Sequence, residues 1–115
     1  MSFSVSHTPT GEVARIVLTG ELDMATAPEL TTVIEDVVQA GAQRLLVDLS
    51  DLEFCDSTGM AAFVRGDNLT RARGGWLRLT GAGGTVDRVL RVSGLADLLY
   101  QQPEEIADPV VLPDH

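Results

Sequence analysis

The sequence predicts an α/β domain built on a mixed, mostly parallel sheet of four to five strands, in the order ββαβαβα(β). Three observations point there. Two strand-like segments joined by a turn open the chain. Beyond them, short apolar runs alternate with stripes of helical period. Glycine and proline turn signals separate the pieces, at Thr8-Pro9-Thr10-Gly11, Gly41, Gly74-Gly75 and Gly81-Ala82-Gly83-Gly84. Strands that alternate with helices pair in parallel, and an opening hairpin adds an antiparallel edge. The 115 residues suffice for one domain with a single sizeable core.

Each element has its own signal. Residues 3–7 alternate Phe-Ser-Val-Ser-His, the pattern of an edge strand, and the Thr-Pro-Thr-Gly turn leads into a second strand over 13–19, rich in Val and Ile. Thr26, with Pro28 in the first turn and Glu29 three residues on, reads as a capping box opening a helix. Leu30, Val33, Ile34, Val37 and Val38 then form one apolar stripe, and Gly41 is a natural stop. The run Leu45-Leu46-Val47 within 44–49 suits a central strand covered on both faces. A second helix is expected from about 58 to 73, with Met60, Phe63 and Val64 inward and Asp67–Arg71 as an i,i+4 ion pair. Gly66 within it costs ~1 kcal/mol against alanine, so this helix leans on tertiary packing. Residues 76–80 read as a third inner strand, 85–92 as a short helix ended by Gly94, and Leu98-Leu99-Tyr100 as a last short strand. The domain is expected over 1–102, followed by an acidic, proline-containing tail over 103–115.

Composition narrows the function. The chain carries 17 Asp and Glu against 8 basic residues, all arginine, for a net charge of −9. Four of the carboxylates (Glu104, Glu105, Asp108, Asp114) lie in the tail, which leaves −5 on the rest. Nucleic acid and anionic membranes are poor partners for such a surface, and a partner with a basic or mixed face fits better. The N-terminus shows no basic segment followed by an apolar stretch, so the expected compartment is the cytoplasm. A single cysteine, Cys55, excludes an internal disulfide framework. The two histidines, His7 and His115, both lie near the chain ends and give little material for a metal site or a hydrolytic triad. No cofactor is expected. Gly81-Ala82-Gly83-Gly84 lacks the third glycine of a dinucleotide loop, and a P-loop needs a lysine. Arg65-Gly66-Asp67 falls inside a helix and is no adhesion motif. Asn68-Leu69-Thr70 matches a glycosylation sequon whose use the compartment argues against.

The segment with chemistry is Asp56-Ser57-Thr58-Gly59. A buried strand is expected to end near Leu49, with a loop carrying the chain to this helix start. Ligand sites in α/β sheets lie beyond the carboxyl ends of strands, and a helix N-terminus presents free N–H groups there. Asp56 or Ser57 could simply be the N-cap, and a cap position also holds its side chain at the surface. Together with Gly20-Glu21-Leu22-Asp23 and Thr26-Ala27 upstream, and Arg73-Gly74-Gly75, Leu77-Arg78-Leu79, Val89-Leu90 and Ser93-Gly94-Leu95 downstream, this segment resembles the STAS domain of bacterial anti-sigma factor antagonists. Any one motif is weak, but the ordered set covers nearly the whole chain, roughly residues 5 to 99.

The resemblance implies a STAS-type sheet with its helices packed mainly on one face, and a binding module, not an enzyme. It makes Ser57 a phosphoacceptor. The unphosphorylated form would bind an anti-sigma factor that is also a serine kinase, releasing a sigma factor. Phosphorylation would break the complex, and a serine phosphatase would reset it. ATP and Mg²⁺ would belong to the kinase. The expected docking surface is Asp23, Met24 and Ala25, with Asp56, Thr58, Gly59 and Met60 and the exposed face of the helix that follows. Plain structural roles stand beside these: a loop cap for Asp23, core packing for Met60, a helix-start hydroxyl for Thr58, a buried apolar site for Cys55. The protein is expected to be a monomer or weak homodimer. The alternative is a non-catalytic STAS scaffold subunit of a larger signalling or transporter-associated complex. A hydrolase with Ser57 as nucleophile would need His7 to reach across from the edge strand. The sequence departs from the family pattern at Met60, usually leucine, at Ala82-Gly83-Gly84, and in a stunted C-terminal helix, where Glu104 to Ala107 precede Asp108-Pro109.

Overall fold

The computed structural model describes residues 2–10 and 13–96. Its sheet is ordered β1-β2-β3-β4, from β1 (Phe3–Thr10), β2 (Val13–Leu22), β3 (Arg44–Cys55) and β4 (Trp76–Thr80). β1 pairs antiparallel with β2, and β2, β3 and β4 run parallel. The crossovers are α1 (Ala27–Gln39) and α2 (Ser57–Arg71), and α3 (Gly84–Ser93) follows β4.

One core joins these elements. Ile16 and Leu18 of β2, Leu45, Val47 and Leu49 of β3, and Leu77 and Leu79 of β4 alternate onto a single sheet face. There they pack with Leu30, Ile34 and Val38 of α1, Phe63 of α2, and Val86 and Leu90 of α3, all in the same cluster. Each fully buried side chain of this size stabilises the fold by about 1.5–3 kcal/mol. The helices therefore share one face, as expected. Gly66 is the close contact between layers: a Cβ there would lie 2.7 Å from Leu77 Cδ1 and 3.0 Å from Ile34 Cδ1. What this glycine loses in helix propensity it returns in packing.

Six expectations change. β1 continues through Thr10, which pairs with Val13, so the Thr-Pro-Thr-Gly segment is mostly strand. Pro9 is tolerated because β1 is an edge. The Thr26–Glu29 capping box does not form, because the Thr26 hydroxyl donates to the Glu21 carbonyl at 3.0 Å and turns back into the loop. β3 runs six residues past Leu49. Val64 is 39% exposed, not inward. Asp67 is buried and does more than pair with Arg71: its Oδ1 accepts from Leu77 N at 3.0 Å and Arg78 Nη1 at 3.2 Å. β4 is the edge strand among the described residues, where an inner strand was expected. The expected strand at Leu98-Leu99-Tyr100, and the boundary between domain and tail at 102, lie outside the described residues.

Candidate functional site

β2 and β3 project beyond β4, which pairs only with Arg44 to Asp48. Their ends are in register, Leu22 opposite Cys55. Asp56 N donates to Leu22 O at 3.1 Å, tying the chain after β3 to the end of β2. The loop 23–26 and the start of α2 therefore leave neighbouring strands side by side, at the carboxyl end of the parallel sheet.

Asp56 is the N-cap of α2. Its backbone is extended (φ −102°, ψ −174°) and its Oδ1 accepts from Gly59 N at 3.0 Å. Ser57 is the first helical residue. Its side chain is exposed and makes no hydrogen bond among the described residues. The cap thus falls to Asp56, leaving the Ser57 hydroxyl available to chemistry at the positive end of the helix dipole. Thr58 is half-buried. Gly59 is buried where a Cβ would meet Leu22 Cγ at 2.7 Å and Cys55 Sγ at 3.0 Å. It contributes by letting the helix start sit against the strand ends. Met60 is half-buried and packs on the core. Burial pushes the Cys55 thiol up to about 12, with the Asp56 carboxylate adding to it, so Cys55 is a neutral core residue.

On the β2 side, Asp23 shapes the loop. Its Oδ1 accepts from Ala25 N at 3.0 Å and Thr26 N at 3.1 Å, and its carbonyl accepts from Ala27 N at 2.8 Å. Thr26 returns the favour by accepting from Asp23 N at 2.9 Å. The result holds Ala25 exposed and Met24 at 74% exposure. Asp23, Met24, Ala25, Asp56 and Ser57 are thus brought to one end of the molecule.

Two residues of this end escape a sequence reading. Phe54, 40% exposed, stands beside Glu21 two residues before Asp56, and Val64 lies seven residues after Ser57 on the outer side of α2. The signal for Val64 was its i+7 spacing from Ser57. Phe54 gave none, since its outward orientation depends on irregular strand pairing. His7 sits opposite Ile16, six positions along β2 from Leu22 and so about 20 Å away. That distance keeps His7, the one histidine among the described residues, from serving Ser57 as a base. Among the described residues no cluster of His, Cys, Asp and Glu could hold a metal, and no helix is long and apolar enough to cross a membrane.

Comparison with known proteins matches residues 5–100 to the family described as Mlab, STAS domain. An anti-sigma-B factor antagonist of Staphylococcus aureus is 28% identical over 100 residues, 87% of this chain and 93% of that protein. The structure of the anti-sigma factor antagonist SpoIIAA in its unphosphorylated form is similar at a TM-score of 0.80 and 25% identity, over 99% of this chain and 100% of that one. The Bacillus SpoIIAA in its phosphorylated form is similar at a TM-score of 0.70 and 25% identity, over 95% and 99% of the two chains.

Proposed function

The chain belongs to the STAS domain family, and from that premise we propose that it is an anti-sigma factor antagonist whose docking is governed at Ser57. Unphosphorylated, it binds an anti-sigma factor serine kinase and frees a sigma factor. Phosphorylated on Ser57, it lets the kinase go, and a serine phosphatase restores the binding form. One observation carries this reading: an exposed, unbonded hydroxyl on the first residue of α2, beside the Met24 loop. The named relatives support it, since they are antagonists, one of them solved both with and without phosphate.

The chain is the substrate in this scheme. The kinase moves the γ-phosphoryl group of ATP, held with Mg²⁺ in its own site, onto Ser57 Oγ. The new Oγ–P bond replaces the bond to ADP, and the hydroxyl proton passes to a base of the kinase. The product carries about −1.5 to −2 charges. N–H groups at the start of α2 and the helix dipole favour that charge, so the fold survives it. A docked surface fitted to a neutral hydroxyl does not tolerate it, because the charge lies next to Asp56 and would have to be desolvated. A penalty of about 3 kcal/mol lowers affinity over about a hundredfold.

Intact-mass analysis after incubation with candidate anti-sigma factor kinases and ATP, with peptide mapping, tests this reading. It requires one phosphoryl group on Ser57 and none on Ser57→Ala. Modification at Thr58 instead, or none with any kinase that binds the chain, contradicts it.

A further inference from the structure

A groove of about 430 Å³ runs between α1 and α2, with almost wholly apolar walls. Ile34 and Ala62, both buried, lie at its floor and the half-buried Leu69 on its α2 side, while Glu35 of α1 and Arg65 of α2 stand on opposite rims. Both rim residues are exposed, and neither has an ion pair or side-chain hydrogen bond among the described residues. In a chain of net charge −9, where Arg15, Arg71, Arg78 and Arg91 are paired with aspartates, Arg65 has no ion pair among the described residues, as is also true of Arg88 on α3, and Arg65 alone of these two lines the groove. The groove also continues the phosphoacceptor end. Thr58, Ala62, Arg65 and Leu69 follow one another at spacings of four, three and four, so the wall that begins beside Ser57 becomes the groove wall one turn later.

We propose that this groove is the second half of the docking surface, and that its occupant is an amphipathic segment of the same anti-sigma factor. That segment places an apolar side chain over the groove floor against Leu69, an acidic residue against Arg65 and a basic residue against Glu35. Apolar anchors in a helix-lined groove supply affinity, and charges on opposite rims fix register and reject wrong partners. The opposite rim charges would also suit a second copy of this chain. The net charge of −9 opposes that pairing, and only the anti-sigma factor engages Ser57 and the groove together. This inference rests on the function proposed above and assigns the residues that set which anti-sigma factor is accepted.

Calorimetric titration with the purified kinase that phosphorylates Ser57 tests it, using the full chain, Arg65→Glu, Glu35→Arg, the double variant and Ser57→Asp. Each single reversal sets like charges against each other and should weaken binding by about tenfold or more. Melting temperature should be unchanged, since both side chains are exposed. The double variant keeps the net charge and the groove, so its binding should stay weak. Wild-type affinity in both single variants, with Ser57→Asp still defective, overturns the groove while leaving the Ser57 switch standing. Recovery in the double variant overturns the register argument. Wild-type binding by Ser57→Asp instead strikes the switch itself. Sedimentation of the chain alone supplies the last arm: a dimer that Arg65→Glu dissociates would make the occupant a second copy and overturn the proposal.

Discussion

Ser57 is free because Asp56 is not. The Asp56 carboxylate accepts from Gly59 N, which caps α2 and leaves the neighbouring hydroxyl with no structural duty. Gly59 completes the arrangement by its lack of a side chain. A methyl group there would lie 2.7 Å from Leu22 Cγ. Gly59→Ala is therefore expected to destabilise the protein by about 1–3 kcal/mol through overpacking. A thermal melt checks the loss, and an unchanged midpoint would mean that the α2 start is loosely seated. Cys55 beneath it, with its thiol raised to about 12, should resist alkylation at neutral pH until the protein unfolds. Labelling at equal rates with and without denaturant would contradict its burial. The Asp-Ser-Thr-Gly cap was legible because capping is decided within four residues. Thr26 carried an equally clear signature and failed, since its hydroxyl found the Glu21 carbonyl five residues back. A local motif cannot show which of two acceptors the folded loop will bring closer.

The extension of β3 places the site, and its burial pattern explains why it reads as a loop. Beyond Val47 the buried residues are Leu49, Leu52 and Cys55, three apart. Two register shifts against β2 insert extra residues on the β3 side, and the bulges re-phase a strand that has lost its period of two. Bulged strands hide from pattern reading for this reason. The edge strand β4 shows a second device. Asp67 reaches from α2 to accept from Leu77 N, with Arg71 and Arg78 balancing its charge. Asp67→Ala would orphan that buried N–H and remove the counter-charge of Arg71 and Arg78, and should cost about 2–3 kcal/mol, mostly through the unpaired N–H. Denaturant unfolding measures it, and a loss no larger than a surface substitution causes would show that the edge is held otherwise. On the open sheet face, burial raises the Asp48 carboxyl, but bonds from the Ser50 hydroxyl and N–H, then Arg15, outweigh it and leave it below the usual carboxylate range. The folded state thus holds Asp48 ionised more strongly than the unfolded chain does. Its stabilisation is present above the ordinary carboxylate pKa and fades as pH falls through the lowered one. Asp48→Asn should flatten that part of the acid-unfolding curve, whereas a curve parallel to wild type would remove Asp48 from the account.

At the scale of the whole molecule, the alternation of strand and helix was legible from end to end of the described residues, because hydrophobic period and turn residues agree at each element. The edge position of β1 was legible too, in its short polar alternation, but that of β4 was not, since pairing order is a property of the sheet and not of any one segment. The architecture assigns its parts different tasks. The helix-covered face supplies rigidity, and the projecting ends of β2 and β3 carry a loop and a helix start whose Met24, Ala25 and Ser57 side chains are exposed and can be altered without touching the core. Under the proposed function, phosphorylation of Ser57 would change association and leave stability in place. The decisive measurement is the affinity of the anti-sigma factor kinase for the unphosphorylated and the Ser57-phosphorylated chain, with thermal midpoints taken on the same two samples. A loss of about a hundredfold or more in affinity at an unchanged midpoint is the expected result. Equal affinities, or a phosphorylated chain that binds weakly only because it has unfolded, would contradict the switch.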